Sequence, residues 1–343
     1  MNRTWNPRYE CLPREDLKAL QEQKFLRQIK HIHAFSSFYN KKLDESGVRV
    51  ESIRTLDDIG MIPPTTPEEL RGAVKQGPDP WGGRLCVPEE KLLFYLSPQE
   101  PAVDEGSLLT AVTAFDRDMV IEELLRLWSM LNIGPERVVQ AQCWGWEALN
   151  TVYLSSYSSR YLSPSVSDVM KCTIIPMEIM VSDVPRTVHS AMFFQPQAFF
   201  TNMENIEAME KEVGNQGLGL EELGYETIVI RECGKAMANE QRAEIERKWG
   251  AKAYSMLEIQ ECLFYASECN CQEGFHVYED LFLVEITDTE GHQVSKIGDR
   301  GKLTLTNLFA EATPLLRYQT GIDAMLYDSP CICGRTSSRL ALR

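Results

Sequence analysis

Five residues in the last third of the chain could hold a soft metal. Cys269 and Cys271 stand two apart, His276 follows, and Cys331 and Cys333 repeat the Cys-x-Cys spacing near the end. Four-coordinate zinc takes thiolate sulfur and imidazole nitrogen. A loop offering Cys and His could meet the later Cys-x-Cys turn around one ion. Such a site would be closed and structural, with no open position for catalysis. Cys-x-Cys is less typical of zinc than Cys-x-x-Cys, so the alternative is five thiols and no metal. The other cysteines, Cys11, Cys86, Cys143, Cys172, Cys233 and Cys262, are isolated.

A second group surrounds Cys143, in AQCWGWEAL, where Trp144 and Trp146 flank Gly145. Aromatic rings around a glycine could line a flat site for an aryl group, or be ordinary core aromatics. No His or Asp pattern near Cys143 marks it as a nucleophile. His31 and His33 ride on a helical segment and read as surface or boundary residues. His189 and His292 have no partner that spacing identifies.

The elements that must position these groups follow from periodicity. Residues 14–35 place Leu17, Leu20, Phe25, Ile29 and Ile32 at helical spacing. In GMIPPTTPEELRG, Thr66 is an N-cap, Pro67 suits the first turn, and Glu68 and Glu69 favour the positive helix end. Residues 76–84 are a turn-rich boundary. Residues 119–131 predict a helix, and Val138-Val139 begin a strand after the Gly134-Pro135 break. YETIVIR (225–231) predicts a buried strand, 239–249 a solvated helix with Asn239 as its cap, and AKAYSML a further strand. Strand, helix, strand is the pattern of an α/β fold: mostly parallel sheet covered by helices. The tail changes style. Residues 276–287, 301–306 and 314–318 predict short β stretches in a smaller, mostly antiparallel unit.

The bulk numbers narrow the function. The chain has 343 residues, 43% hydrophobic and 25% charged, enough for a large core and subdomains. Three segments are expected in chain order: 1–80 helical, 81–260 the α/β core, and 261–343 the β-rich unit with the cysteines. Net charge is −15 and no long basic tract occurs, which disfavours nucleic acid. ATP, coenzyme A or an acidic carrier protein would each need a local basic site. No apolar run is long enough for a membrane span, and the first residues have no apolar signal core. A cytoplasmic protein with reduced cysteines is expected.

Several strings, in order, resemble phenylacetate–CoA ligase and its relatives. They are WNPRYECLPREDLKALQ at the start, QRAEIERKW with GAKAYSMLE, GFHVYEDLFLVE, PLLRYQT, and PCICGRT near the end. The resemblance implies an adenylate-forming (acyl-CoA synthetase) large domain. It implies activation of a carboxylic acid by ATP and transfer of the acyl group to coenzyme A. It also implies a Cys–His pair and a Cys-x-Cys-Gly turn as metal ligands: Cys269, His276, Cys331 and Cys333, with Cys271 the spare or the replacement.

Each step of that chemistry makes a demand. The family's phosphate cradle is rich in Ser, Thr and Gly and carries a lysine. Its place is held here by SPQEPAVDEG, with acids that repel phosphate and prolines that remove N–H donors. Loss of triphosphate binding is expected from that loop. The adenine-shelf turn reads Cys233-Gly234-Lys235-Ala236, with Lys235 where the family has glutamate. The magnesium motif reads Tyr254-Ser255-Met256-Leu257-Glu258. It keeps Tyr and Glu and loses the hydroxyl residue. The ribose-gripping aspartate follows Arg317-Tyr318-Gln319-Thr320-Gly321 one position late, as Asp323. The segment about 141–148 would help form the acyl pocket. A closing C-terminal domain with a lysine would be absent if 343 residues is the natural length.

The expectation is therefore a pseudoenzyme with vestigial Glu258, Arg317 and Asp323. Tyr254, Glu258 and Asp323 would be its remaining nucleotide contacts. ATP, magnesium and coenzyme A would be doubtful cofactors beside a structural zinc. It would act as a non-catalytic partner, scaffold or chaperone in an acyl-thioester (polyketide or aromatic) pathway, beside an acyl carrier protein or an associated enzyme. Homodimerisation would fit the family. The alternative is an active or repurposed aryl/acyl–CoA ligase using ATP and coenzyme A.

Overall fold

The computed structural model describes residues 4–77, 79–96, 108–142, 165–177, 184–232, 234, 236–294 and 298–342. Contacts divide the chain into two units. One comprises Met1–Trp5, Ile121–Glu258 and Ala266–Phe275; the other comprises Asn6–Val120, Ile259–Tyr265 and His276–Arg343. Segments distant in sequence thus share a unit, because pairing and burial follow the strands rather than chain order.

In the unit that holds Asn6–Val120, helix α1 (Arg14–Phe35) buries Leu17, Phe25, Ile29 and Ile32. These are members of the predicted apolar stripe. Helix α2 (Ser37–Glu45) adds Tyr39 and Leu43, and the cluster closes with Ile53, Ile62, Leu283, Leu308 and Leu316. Helix α3 (Pro67–Gln76) begins as predicted, with a reciprocal cap: the Glu69 N–H donates to Thr66 Oγ1 at 3.2 Å and the Thr66 N–H to Glu69 Oε2 at 3.4 Å. Strands β1 (Leu92–Leu96) and β2 (Thr110–Thr113) pair antiparallel. The loop SPQEPAVDEG between them lies outside the described residues.

Helix α4 (Ala114–Met130) starts five residues before the predicted 119, because its cap lies upstream of the apolar repeat. The Thr113 N–H donates to Asp116 Oδ2 and the Asp116 N–H to Thr113 Oγ1, at 3.0 and 3.1 Å. Asp116 also accepts from the Glu311 and Ala312 N–H groups at 2.6 and 3.2 Å. It is fully buried. Burial pushes its carboxyl up to about 6, against the pull of those three backbone donors. The folded state then holds this proton more tightly than the unfolded state does. Its ionisation weakens stability as pH rises from about 4 to about 6, by on the order of 2–3 kcal/mol. Urea melts of wild type and Asp116→Asn across that range should show the fall only in wild type; parallel profiles would refute it.

In the other unit, five parallel strands run in the order β4-β3-β5-β6-β7. They are β3 (Val138–Gln142), β4 (Thr173–Met177), β5 (Ala198–Thr201), β6 (Thr227–Glu232) and β7 (Lys252–Ile259). Helices α5 (Val184–Phe194), α6 (Met203–Asn215) and α7 (Asn239–Trp249) cover one face. Their apolar sides meet Phe199, Ile228, Ile230 and Ala253, alternate residues of β5, β6 and β7. The predicted helix 239–249 is present, but its N-cap is Ala238, not Asn239, and no side chain caps it.

The tail is the antiparallel unit expected from its turn-separated runs, with corrected bounds. The run 276–287 splits into β9 (Phe275–Val277) and β10 (Phe282–Thr287), which follow β8 (Phe264–Glu268). Strand β11 (Arg300–Asn307) pairs with β10 and β12, and β13 (Arg339–Leu342) with β12. Residues 314–317 are not a strand. Leu315 and Leu316 are buried, Arg317 takes φ +44, and β12 runs Tyr318–Tyr327.

Candidate metal centre and nucleotide motifs

The predicted soft ligands come together. One donor atom from each of Cys269, His276, Cys331 and Cys333 lies within 4.8 Å of the others, and all four residues are buried. Cys269 directly follows β8, His276 is the middle residue of β9, and Cys331 and Cys333 occupy the turn before β13. His276 Nε2 is 3.5 Å from Cys333 Sγ, while its Nδ1 is 3.1 Å from Ser337 Oγ. A hydroxyl on the far nitrogen fixes ring orientation, as partners of metal-binding histidines do. Arg335 Nη1 lies 3.8 Å from Cys333 Sγ and Arg335 Nε donates to Glu10 Oε2 at 2.7 Å, which brings a positive charge beside the Cys333 sulfur. Three sulfurs and one nitrogen, buried and convergent, fit a tetrahedral soft-metal site. Cys271 stands outside this set, half-buried, its N–H donating to Cys269 Sγ at 3.4 Å.

The residues expected to remain from a nucleotide site divide between the two units, Tyr254 and Glu258 in one and Arg317 and Asp323 in the other. Tyr254 is buried in β7, its hydroxyl donating to Asn270 Oδ1 at 3.3 Å, and burial raises its phenol above the usual range. Glu258 lies four residues on, near the carboxyl end of the same strand, and accepts from Arg231 Nη1 at 2.9 Å. Arg317 is buried and held by Glu285 through Nε and Nη2, at 3.1 and 3.0 Å. It also donates to the Ile62 and Gly291 carbonyls, at 2.7 and 2.6 Å. Arg317 thus ties Glu285 of β10 to the Ile62 and Gly291 carbonyls. Asp323 is exposed on β12 and paired with Lys302 at 2.7 Å. It lines a cavity of about 500 Å³ with Thr287, Asp288, Arg300 and Met325. Cys233 and Lys235 of the shelf turn, and Cys143, Trp144, Gly145 and Trp146 of the aryl-pocket segment, lie outside the described residues.

Sequence reading did not single out Arg231, Ser337 or Arg335. The charge ending YETIVIR was the available signal for Arg231, since it interrupts a β-branched run at the strand's end. Ser337 and Arg335 carried none, because their role depends on a turn closing over β9.

The fold is that of the adenylate-forming ligases. A solved 2-hydroxyisobutyryl-CoA ligase, in complex with 2-HIB-AMP and CoA, superposes with TM-score 0.83 over 98% of this chain and 71% of its own, at 18% identity. A long-chain-fatty-acid-CoA ligase from Archaeoglobus fulgidus gives 0.52 over 75% of this chain and 52% of its own, at 6% identity. Within that fold the sequence is phenylacetate–CoA ligase-like along almost all of its length. It is 26% identical over 339 residues to a phenylacetate–coenzyme A ligase of Thermus thermophilus, covering 98% of this chain and 72% of the relative. It is 24% identical over 344 residues to the Escherichia coli phenylacetate–coenzyme A ligase, covering 96% and 73%. No protein-family model matches the chain.

Proposed function

We propose that this protein is an acid–thiol ligase of the adenylate-forming class, which activates a carboxylic acid with ATP and passes the acyl group to coenzyme A. The observation that supports this most is the 26% identity to a phenylacetate–coenzyme A ligase over 98% of the chain. The fold agrees with it: parallel strands present their carboxyl ends, where α/β proteins bind ligands, and Glu258 stands there on β7. An aryl acid is the substrate class the relative suggests. Purified protein with ATP, magnesium and a panel of aryl and short aliphatic acids should release pyrophosphate, faster with coenzyme A. No release with any acid, and no heat on titration with millimolar ATP, would end this reading.

A second reading has its own observation. Glu258 is paired with Arg231, both side chains more than nine-tenths buried, at the position where a magnesium ligand would be needed. A carboxylate so engaged suits a non-catalytic partner of acyl-thioester enzymes, the scaffold role read from the altered motifs. Such a protein would release no pyrophosphate and would co-purify one-to-one with an acyl carrier protein or another enzyme of its pathway.

Under either reading, we propose a structural zinc held by Cys269, His276, Cys331 and Cys333. It would supply no chemistry beyond cross-linking the turn before β13 to β8 and β9.

A further inference from the structure

The Arg231–Glu258 pair occupies a particular place. Arg231 is the penultimate residue of β6 and Glu258 the penultimate residue of β7. The strands are adjacent and parallel, and Arg231 registers with Met256, two residues before Glu258. Side chains alternate along each strand. Ile228 and Ile230 of β6 and Ala253 of β7 enter the core under α5, α6 and α7. Arg231 and Glu258 therefore both stand on the opposite face, at the carboxyl edge. Their side chains are 8% and 6% exposed, and Nη1 meets Oε2 at 2.9 Å.

A carboxylate in a buried ion pair is a poor ligand for a second cation. Moving Glu258 onto a divalent metal would break a buried ion pair of 2.9 Å, which is costly. It would also bring two cations together at low dielectric. The guanidinium is itself a permanent cation with planar donors suited to phosphate oxygens. Other buried Arg–Glu pairs among the described residues serve different places. Arg242 joins α7 to Glu268 of β8, Arg317 joins the start of β12 to Glu285 of β10, and Arg335 joins the turn before β13 to Glu10. Of these pairs, Arg231–Glu258 alone stands at the carboxyl edge of the parallel sheet.

We propose that Arg231, held by Glu258, takes the place of a divalent cation at this edge, so that a nucleotide polyphosphate binds here without magnesium. The proposal rests on the ligase reading, since that reading brings ATP to this edge. Arg231 is a positioning residue for the phosphates, and Glu258 orients it instead of coordinating metal.

The test is calorimetric titration with ATP in excess magnesium and in excess EDTA. Proteins are wild type, Arg231→Gln, Glu258→Gln and the doubly apolar Arg231→Met/Glu258→Met, each checked for fold by circular dichroism. Wild type should bind ATP with dissociation constants within about threefold in the two buffers. Loss of a charge-assisted contact should weaken binding in EDTA by about ten- to hundredfold in Arg231→Gln. The doubly apolar variant removes both charges without leaving one buried, so it tests the same loss should the single variant misfold. Wild-type binding that requires magnesium would overturn the proposal and leave the ligase reading standing. Unchanged EDTA binding in the Arg231 variants would overturn it as well. No ATP binding in either buffer would remove both.

Discussion

Replacing Cys333 with serine is expected to release the bound metal and lower the melting temperature by about 10 °C or more. Structural zinc contributes about 10–16 kcal/mol of apparent binding energy in small domains, and here four buried donors converge within 4.8 Å. Without the ion, the three sulfurs and the imidazole would no longer be held to one centre. The turn at Cys331–Cys333 would lose its tie to His276, leaving β13 held by its pairing with β12. Elemental analysis of the wild type should give one zinc per chain, and a chelator under mild denaturant should reproduce the variant's melting curve. Cys271→Ser is the control. Cys271 stands outside the convergent set, so its loss should leave metal content and melting unchanged. A metal-free wild type, or equal damage from both substitutions, would refute the site.

Arg317→Ala should cost about 3–5 kcal/mol of stability, as removal of one partner from a buried pair does. The guanidinium fills four acceptor positions: two oxygens of Glu285 and the carbonyls of Ile62 and Gly291. Burial already pushes the Glu285 carboxyl up against Arg317's opposing pull. Without Arg317 that carboxyl would take a proton at neutral pH or stay charged without a counter-ion. Chemical denaturation should show a lower midpoint, and Arg317→Met/Glu285→Met should recover much of the loss. If Arg317 were a catalytic group instead, alanine would leave the midpoint unchanged. Any pyrophosphate-release activity would then fall on its own.

The sequence was most readable where one local rule acts alone. The stripe Leu17, Phe25, Ile29, Ile32 could only bury one helix face, and Thr66 with Glu69 marked a helix start to the residue. The parallel sheet followed from YETIVIR, a solvated helix and AKAYSML. Boundaries set by tertiary partners were less visible. Helix α4 begins early because Asp116 finds backbone donors at 311 and 312, nearly two hundred residues away. PLLRY looked like a strand, yet Leu315 and Leu316 are drawn into a core and Arg317 is turned by its partners. The four convergent donors were legible because Cys269, His276, Cys331 and Cys333 fall in two short strings of soft ligands. The fate of Glu258 was not, since a glutamate reads the same in sequence whether a metal or an arginine faces it.

One tie has a consequence for how the chain is made. Arg335 grips Glu10 across 325 residues, the Thr336 N–H donates to the Glu10 carbonyl, and Cys11 Sγ donates to the Gly334 carbonyl. On a ribosome adding about 5–20 residues per second, Glu10 waits on the order of tens of seconds for its partner. Through that interval a carboxylate destined for burial stays in water, without the turn at 334–336 to close over it. The parallel strands of residues 138–259 emerge complete well before then. Birth order and folding order therefore diverge: residues made early are among the last to find their places.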